Sequence, residues 1–239
     1  MNTLTKIFVI VVVIICTIQC LNSCKKEKKP KLPAITFDYE KAPKGSGFKM
    51  DGYWIWGGSM IKVGSIYHLF ASRWVKNEKF PDGYRQNSEI VRATSDSPYG
   101  PFKFEEIVAG ERDSAFWDSN IVNDNLWPAC PLEDFYIFKA RGQFHIICED
   151  NVGGVSRHER WGVHLFSVDG INVWKKYDPV VVYNHDILFD DSSVLHCVRR
   201  ERPQFLITNG EITHLLNGVY DGIDSWCQPV KLKQSIRTD

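Results

Sequence analysis

The chain has 239 residues, of which 44% are hydrophobic and 13% aromatic, enough for a packed core and unlike a disordered chain. Its 29 basic residues balance its 29 acidic ones, which excludes a global field that would recruit nucleic acid. The one basic cluster, Lys25 to Lys31, follows an N-terminal apolar run and reads as a linker beside a membrane rather than a nucleic-acid patch.

In chain order, residues 1–24 read as a targeting segment. Lys6 precedes the apolar run Ile7 to Ile18, which is shorter than the ~17–25 residues a membrane span needs. Leu21-Asn22-Ser23-Cys24 then resembles a bacterial lipobox, which implies lipidation at Cys24 and a bacterial cell-envelope protein anchored to the membrane by its lipid. An uncleaved anchor helix is the other reading. Residues 25–34 form a tether, and residues 35–239 the folded domain. Its four cysteines, Cys130, Cys148, Cys197 and Cys227, match no zinc spacing; Cys148, inside an apolar strand, reads as a buried thiol.

The folded domain is built on a repeated hairpin. Leu132 to Asp150 carries Glu133 and Asp134 at its start, an apolar strand, a turn at Gly142, a second apolar strand, and Glu149-Asp150 at its end. Glu201 to Leu215 aligns with it without gaps, Glu133 on Glu201, Asp134 on Arg202 and Gly142 on Gly210. Trp56 to Phe70 aligns on its turn, Gly64 on Gly142, which puts Ile55 and Trp56 at the acid positions. Strand, Ser/Asp/Pro/Gly turn and strand recur at Ile90 to Phe104 and at Val163 to Tyr177. Asp221-Gly222 aligns with Asp169-Gly170. Units of four short strands without helical periodicity predict an all-β fold, a β-propeller of four-stranded blades. A sandwich of unrelated hairpins is the alternative.

Trp56-Gly57-Gly58-Ser59 with Ile66 to Phe70 and Ala93 to Phe102 resembles the first blade of five-bladed propeller glycoside hydrolases, closest to a family 43-like group of bacterial sugar hydrolases. Leu132 to Phe138 with Phe144 to Asp150 resembles that group's fourth blade, and Arg199 to Gln204 with His214 to Val219 its fifth. Between Trp117 and Leu132 the family would have most of two more blades. Fourteen residues, 118–131, cannot supply four strands of about 5–6 residues each, so the propeller is expected to be incomplete or completed by unrecognised strands.

The resemblance implies hydrolysis of glycosidic bonds in polysaccharides or oligosaccharides by carboxyl groups at the starts of inner strands. Glu133, Asp134 and Glu201 hold those positions, and Glu133 is the first choice for the acid. Strand alternation argues that only one of Glu133 and Asp134 faces the site. Glu201, among Arg199, Arg200 and Arg202, is expected to have a lowered pKa, suited to a base or a sugar-orienting group. Where the family places an Asp in blade one, this chain has Gly57 and Gly58; Asp51 upstream, or Asp118, is the substitute. Trp54, Trp56 and Trp117 can stack on sugar rings or pack blades; Arg202 and His158 can contact substrate. Each acid also has a bland reading, a solvated strand start for Glu133-Asp134 and an ion-pair network for Glu201. His145, His158 and His164 show no metal-ligand spacing, so no cofactor is expected, calcium entering by resemblance alone. The expected partners are a carbohydrate substrate and the membrane, not nucleic acid. An inactive, truncated propeller that binds glycans is the competing function.

Overall fold

The structure is a computed structural model and describes residues 34–77, 79–109 and 132–239. The targeting segment with Cys24, most of the tether, and Trp117, Asp118 and Cys130 lie outside the described residues.

The fold is all-β. Strands β1 (Tyr53–Val63), β2 (Ile66–Val75), β3 (Glu89–Ser95) and β4 (Lys103–Ala109) form one antiparallel meander. Strands β5 (Leu132–Ala140), β6 (Gln143–Asp150), β7 (Trp161–Ser167) and β8 (Lys175–Tyr183) form a second. A two-stranded ribbon, β9 (Asp186–Leu188) and β10 (Val194–His196), leads into a three-stranded sheet of β11 (Arg199–Thr208), β12 (Glu211–Tyr220) and β13 (Ser225–Arg237). Among the described residues no hydrogen-bonded ladder joins one sheet to the next, so the arrangement is an open, propeller-like one. Among the described residues no helix is long and apolar enough to cross a membrane.

The three hairpins expected from the repeat are β1–β2, β5–β6 and β11–β12. Arg141-Gly142 and Asn209-Gly210 both have positive φ, the two-residue turn whose twist suits a hairpin. Two details of the repeat need correction. Asp169-Gly170 joins the third and fourth strands of its sheet, whereas Asp221-Gly222 joins the second and third of its own, so the two turns are not equivalent. The alignment of the first hairpin on its turn glycine also slips by one residue, because Gly64 is the first residue of its two-residue turn whereas Gly142 and Gly210 are the second of theirs.

The β11–β13 sheet lies between the other two. One apolar cluster joins it to β5–β8 through Phe138, Ile147, Phe205 and Leu215, with Ile35 and Phe37 from the N-terminal segment. A second joins it to β1–β4 through Ile55, Leu69, Leu206 and Leu216. Fully burying one such aliphatic side chain contributes roughly 1.5–3 kcal/mol. Glycines let the backbones of this junction approach. A Cβ at Gly218 of β12 would stand 2.8 Å from the Gly57 nitrogen of β1, and one at Gly58 would collide with Cys227 Sγ. The N-terminal segment lies along the outer edge of β13, with Tyr39 bridged to Leu232 and Phe48 to Cys227.

Candidate active site

Each inner strand, β1, β5 and β11, breaks its ladder at the same station. The register shifts fall between Trp56 and Ser59, between Glu133 and Tyr136, and between Glu201 and Gln204. At each break one residue takes a left-handed conformation: Gly57 at φ 58°, Asp134 at φ 54° and Arg202 at φ 55°. A bulge places one extra residue on one strand and re-aims the side chains beside it. Asp134 and Phe135, neighbours in the chain, both line one cleft, while Glu133 does not, as strand alternation led one to expect for the Glu133-Asp134 pair. That cleft, of roughly 420 Å³, is lined by all three bulge residues, together with Trp56, Gly58, Ser59, Ser72 and Gln204.

Behind the bulges lies an acidic cluster. One carboxyl oxygen from each of Asp134, Glu149 and Glu201 falls within 4.8 Å of the other two. Glu149 ends β6 and is fully buried; Glu201 is 6% exposed. Arg160 Nη1 donates to Glu149 Oε1 at 3.0 Å and to Glu201 Oε1 at 2.8 Å, while Arg199 Nη1 stands 3.7 Å from Glu201. Glu149 Oε2 is buried without a hydrogen-bond partner. Burial, reinforced by the Glu201 charge, pushes the Glu149 carboxyl up to about 9 against the opposing pull of Arg160. Burial also raises the Glu201 pKa despite Arg199, Arg160 and Arg202. The sequence suggested the reverse for Glu201; its arginine neighbours are real, but desolvation is the larger effect.

Asp150 fixes the loop that delivers Arg160. Its Oδ2 accepts from the backbone of Val155 and Ser156 and from the Ser156 hydroxyl, at 2.6–2.9 Å. Its carbonyl accepts from the Arg160 nitrogen at 2.7 Å.

Of the residues singled out in the sequence, Asp134 and Glu201 meet in the cluster, and Arg202 lines the cleft. Glu133 is exposed and its Oε1 accepts from Asn151 Nδ2 at 2.6 Å, outside the cluster. Asp51 sits exposed in the turn before β1 and is not among the residues lining the cleft. Trp54 and Trp56 are buried in an aromatic cluster with Trp74, Phe80, Tyr84 and Tyr220, although Trp56 also reaches the cleft. His158 is exposed, its ring stacked on Trp161 at 3.8 Å. The sequence does not single out Glu149 or Phe135, and it offers Arg160 only as the end of Arg157-His158-Glu159-Arg160, a segment that reads as lining a substrate cleft. The available signal was the run Cys148-Glu149-Asp150, acids that continue an apolar strand without a turn residue between.

By spacing, Asp134, Glu149 and Glu201 lie close enough to hold a cation. The site does not suit calcium, however, because the Arg160 guanidinium already bridges two of the three carboxyls and a calcium ion takes 6–8 oxygens.

No protein-family model and no curated protein matches the chain. Solved structures do. An α-L-arabinofuranosidase from Podospora anserina superposes with a TM-score of 0.55 at 10% identity, covering 84% of this chain and 98% of its own. The likeness is one of fold. The catalytic domain of a Coprinopsis cinerea α-L-arabinofuranosidase gives 0.49 at 10% identity over 84% and 99% of the two chains. A thermostable family-43 glycoside hydrolase gives 0.40 at 12% over 83% and 98%.

Proposed function

We propose that the protein is a glycoside hydrolase of propeller type that cleaves glycosidic bonds in polysaccharides or oligosaccharides, with Glu201 as general acid and Asp134 as its carboxylate partner. The observation that carries this reading is the meeting of Glu149 and Glu201 with Asp134, the one acid of the three that lines the cleft bordered by the three inner-strand bulges. Glycoside hydrolysis needs one carboxyl group that stays protonated near neutral pH and a second that works as base or nucleophile. Burial raises the Glu201 pKa above the ordinary carboxylate value, the direction the first need asks for. Asp134, half-buried and lining the cleft, meets the second. Glu149 is wholly enclosed, so its part is to sustain the electrostatics of Glu201 rather than to touch a sugar. Arg160 holds the two glutamates together and keeps the cluster from carrying an unbalanced charge. The fold likeness to an α-L-arabinofuranosidase agrees with this class of chemistry.

A second reading, an inactive propeller that binds glycans, is favoured by Gly57, because the inner strand β1 brings no carboxylate at the station where β5 brings Asp134. Release of reducing sugar from a polysaccharide panel, by wild type and Glu201→Gln, separates the two. Binding without release by either protein sinks the hydrolase reading. The proposal includes a lipid anchor on Cys24 in the bacterial cell envelope, supported by the apolar run and the Leu21-Asn22-Ser23-Cys24 motif.

A further inference from the structure

Arg202 is in an unusual position for a surface arginine. Its backbone is left-handed, which costs a residue with a Cβ roughly 1–3 kcal/mol and is kept where the surroundings impose it. The following Pro203 is buried, so the strand on its far side is fixed. The Arg202 stem lies over β1, where Gly57 leaves it room: a Cβ on Gly57 would come within 3.1 Å of Arg202 Cδ. The side chain is exposed, lines the cleft, and among the described residues makes no hydrogen bond and no ion pair within 4.0 Å. Asp134, the carboxylate of the same cleft, is therefore not its partner.

Phe135 stands on the same cleft and is 51% exposed. An exposed aromatic ring beside a recess of mixed polar and apolar lining offers a face for the C–H surface of a sugar. Ser59, Ser72 and Gln204 supply short hydrogen-bonding groups around it. A guanidinium presents a planar fork of N–H donors that matches carboxylate or sulfate oxygens in pairs.

We infer that this cleft is a subsite for an anionic sugar residue, Arg202 pairing with its carboxylate or sulfate and Phe135 stacking on its ring. The inference rests on the glycan-directed reading of the site and names its substrate class. Asp134 lines the same cleft and Glu201 stands next to it in the acidic cluster, so the anionic residue would be held beside the acids proposed for the scissile bond.

The test is affinity electrophoresis of the folded protein through gels containing polygalacturonate, dextran sulfate or neutral arabinoxylan. Wild type should be retarded by an anionic polymer and less so as sodium chloride rises. Polygalacturonate retention marks a carboxylate ligand and dextran sulfate retention a sulfate. Arg202→Gln should bind roughly ten- to hundredfold more weakly, the effect of losing a charge-assisted pair. Arg202→Lys should fall between, and Phe135→Ala should weaken binding of the same polymer. Each variant is first matched to wild type by circular dichroism and melting temperature. Equal retention of wild type and Arg202→Gln, or retention by arabinoxylan alone, overturns the inference. Release of reducing sugar from the same polymers is measured in parallel. Arg202-dependent retention without any sugar release therefore supports the subsite while removing the hydrolase reading. Release from neutral polymers that Arg202→Gln leaves unchanged does the opposite.

Discussion

Asp134 and Arg202 hold the same place in two different sheets. Each is the left-handed residue of an inner-strand bulge, φ 54° and 55°, and both line one cleft. The repeat thus supplies a geometric station three times over, and the residue installed there decides its chemistry: carboxylate from β5, guanidinium from β11, and, at Gly57 of β1, room that the Arg202 stem occupies.

Glu201→Gln is expected to lower reducing-sugar release by about 10²–10⁴-fold, the usual contribution of a positioned acid. Glu133→Gln should leave release within about twofold, since Glu133 is exposed and bonded to Asn151 rather than to the cluster. Initial rates on one active polysaccharide decide it; a large loss in Glu133→Gln with none in Glu201→Gln would exchange their roles.

Arg160→Gln removes the cation that pulls down the pKa of both Glu149 and Glu201. The alkaline limb of the kcat/KM profile, which reports the acid, should move to higher pH. The cost in stability should be below the ~3–5 kcal/mol typical of breaking a fully buried pair, because the Arg160 side chain is 35% exposed and partly screened by water. A pH–rate series with parallel denaturant melts measures both effects. An unmoved alkaline limb would detach Arg160 from the acid.

His145 and His164 should make the fold acid-sensitive. His145 Nε2 donates to the Ala140 carbonyl at 3.1 Å, so its Nδ1 accepts from His164 Nε2 at 2.9 Å, and His164 Nδ1 is left buried without a partner. Neither ring can take a second proton comfortably, and burial brings His164 down to about 3. The unfolded chain binds that proton near pH 6.5, so the stabilisation is whole above pH 6.5 and is lost as pH falls from there toward 3. The slope is about 1.4 kcal/mol per pH unit for one such group. Melting temperatures of wild type and His164→Phe across this window should converge as pH falls. Parallel curves would refute the assignment.

Gly162→Ala should destabilise the second sheet by about 1–3 kcal/mol, because a Cβ there would collide with the Tyr183 ring packed over it. A Tyr183→Leu background, which removes the ring, should recover part of the loss in urea melts.

Cys24→Ser should abolish incorporation of labelled palmitate and release the protein from membranes, whereas substitution of Cys20, a weaker candidate because Gln19 rather than a small residue precedes it, should do neither. Label retained in Cys24→Ser would move or remove the anchor.

The hairpins were legible because each combines an apolar strand pair with a turn glycine, a local pattern that β pairing enforces directly. The bulges were not. A bulge adds one residue to one strand, and in sequence it looks like ordinary alternation that slips phase; only the ladder partners of Glu133, Trp56 and Glu201 expose it. Asp134 and Glu201 were visible as strand-start acids. Glu149 was passed over as the end of an apolar strand, since its burial comes from convergence of sheets far apart in the chain. The pKa direction of Glu201 failed for the same reason: sequence displays its arginine neighbours but not the water it has lost. The short ribbon β9–β10 carries no periodic signal long enough to recognise.

The N-terminal segment has a consequence for how this protein is made. Glu40 donates its N–H to the Lys231 carbonyl, and Phe48 and Cys227 exchange backbone hydrogen bonds, so the outer edge of β13 is covered by chain synthesised some 180–190 residues earlier. Such contacts close large loops and form late. The sheet between the other two cannot acquire its last strand on a growing chain until β13 has emerged. The two four-stranded meanders pair within themselves, whereas the sheet between them is completed only by contacts across this long separation.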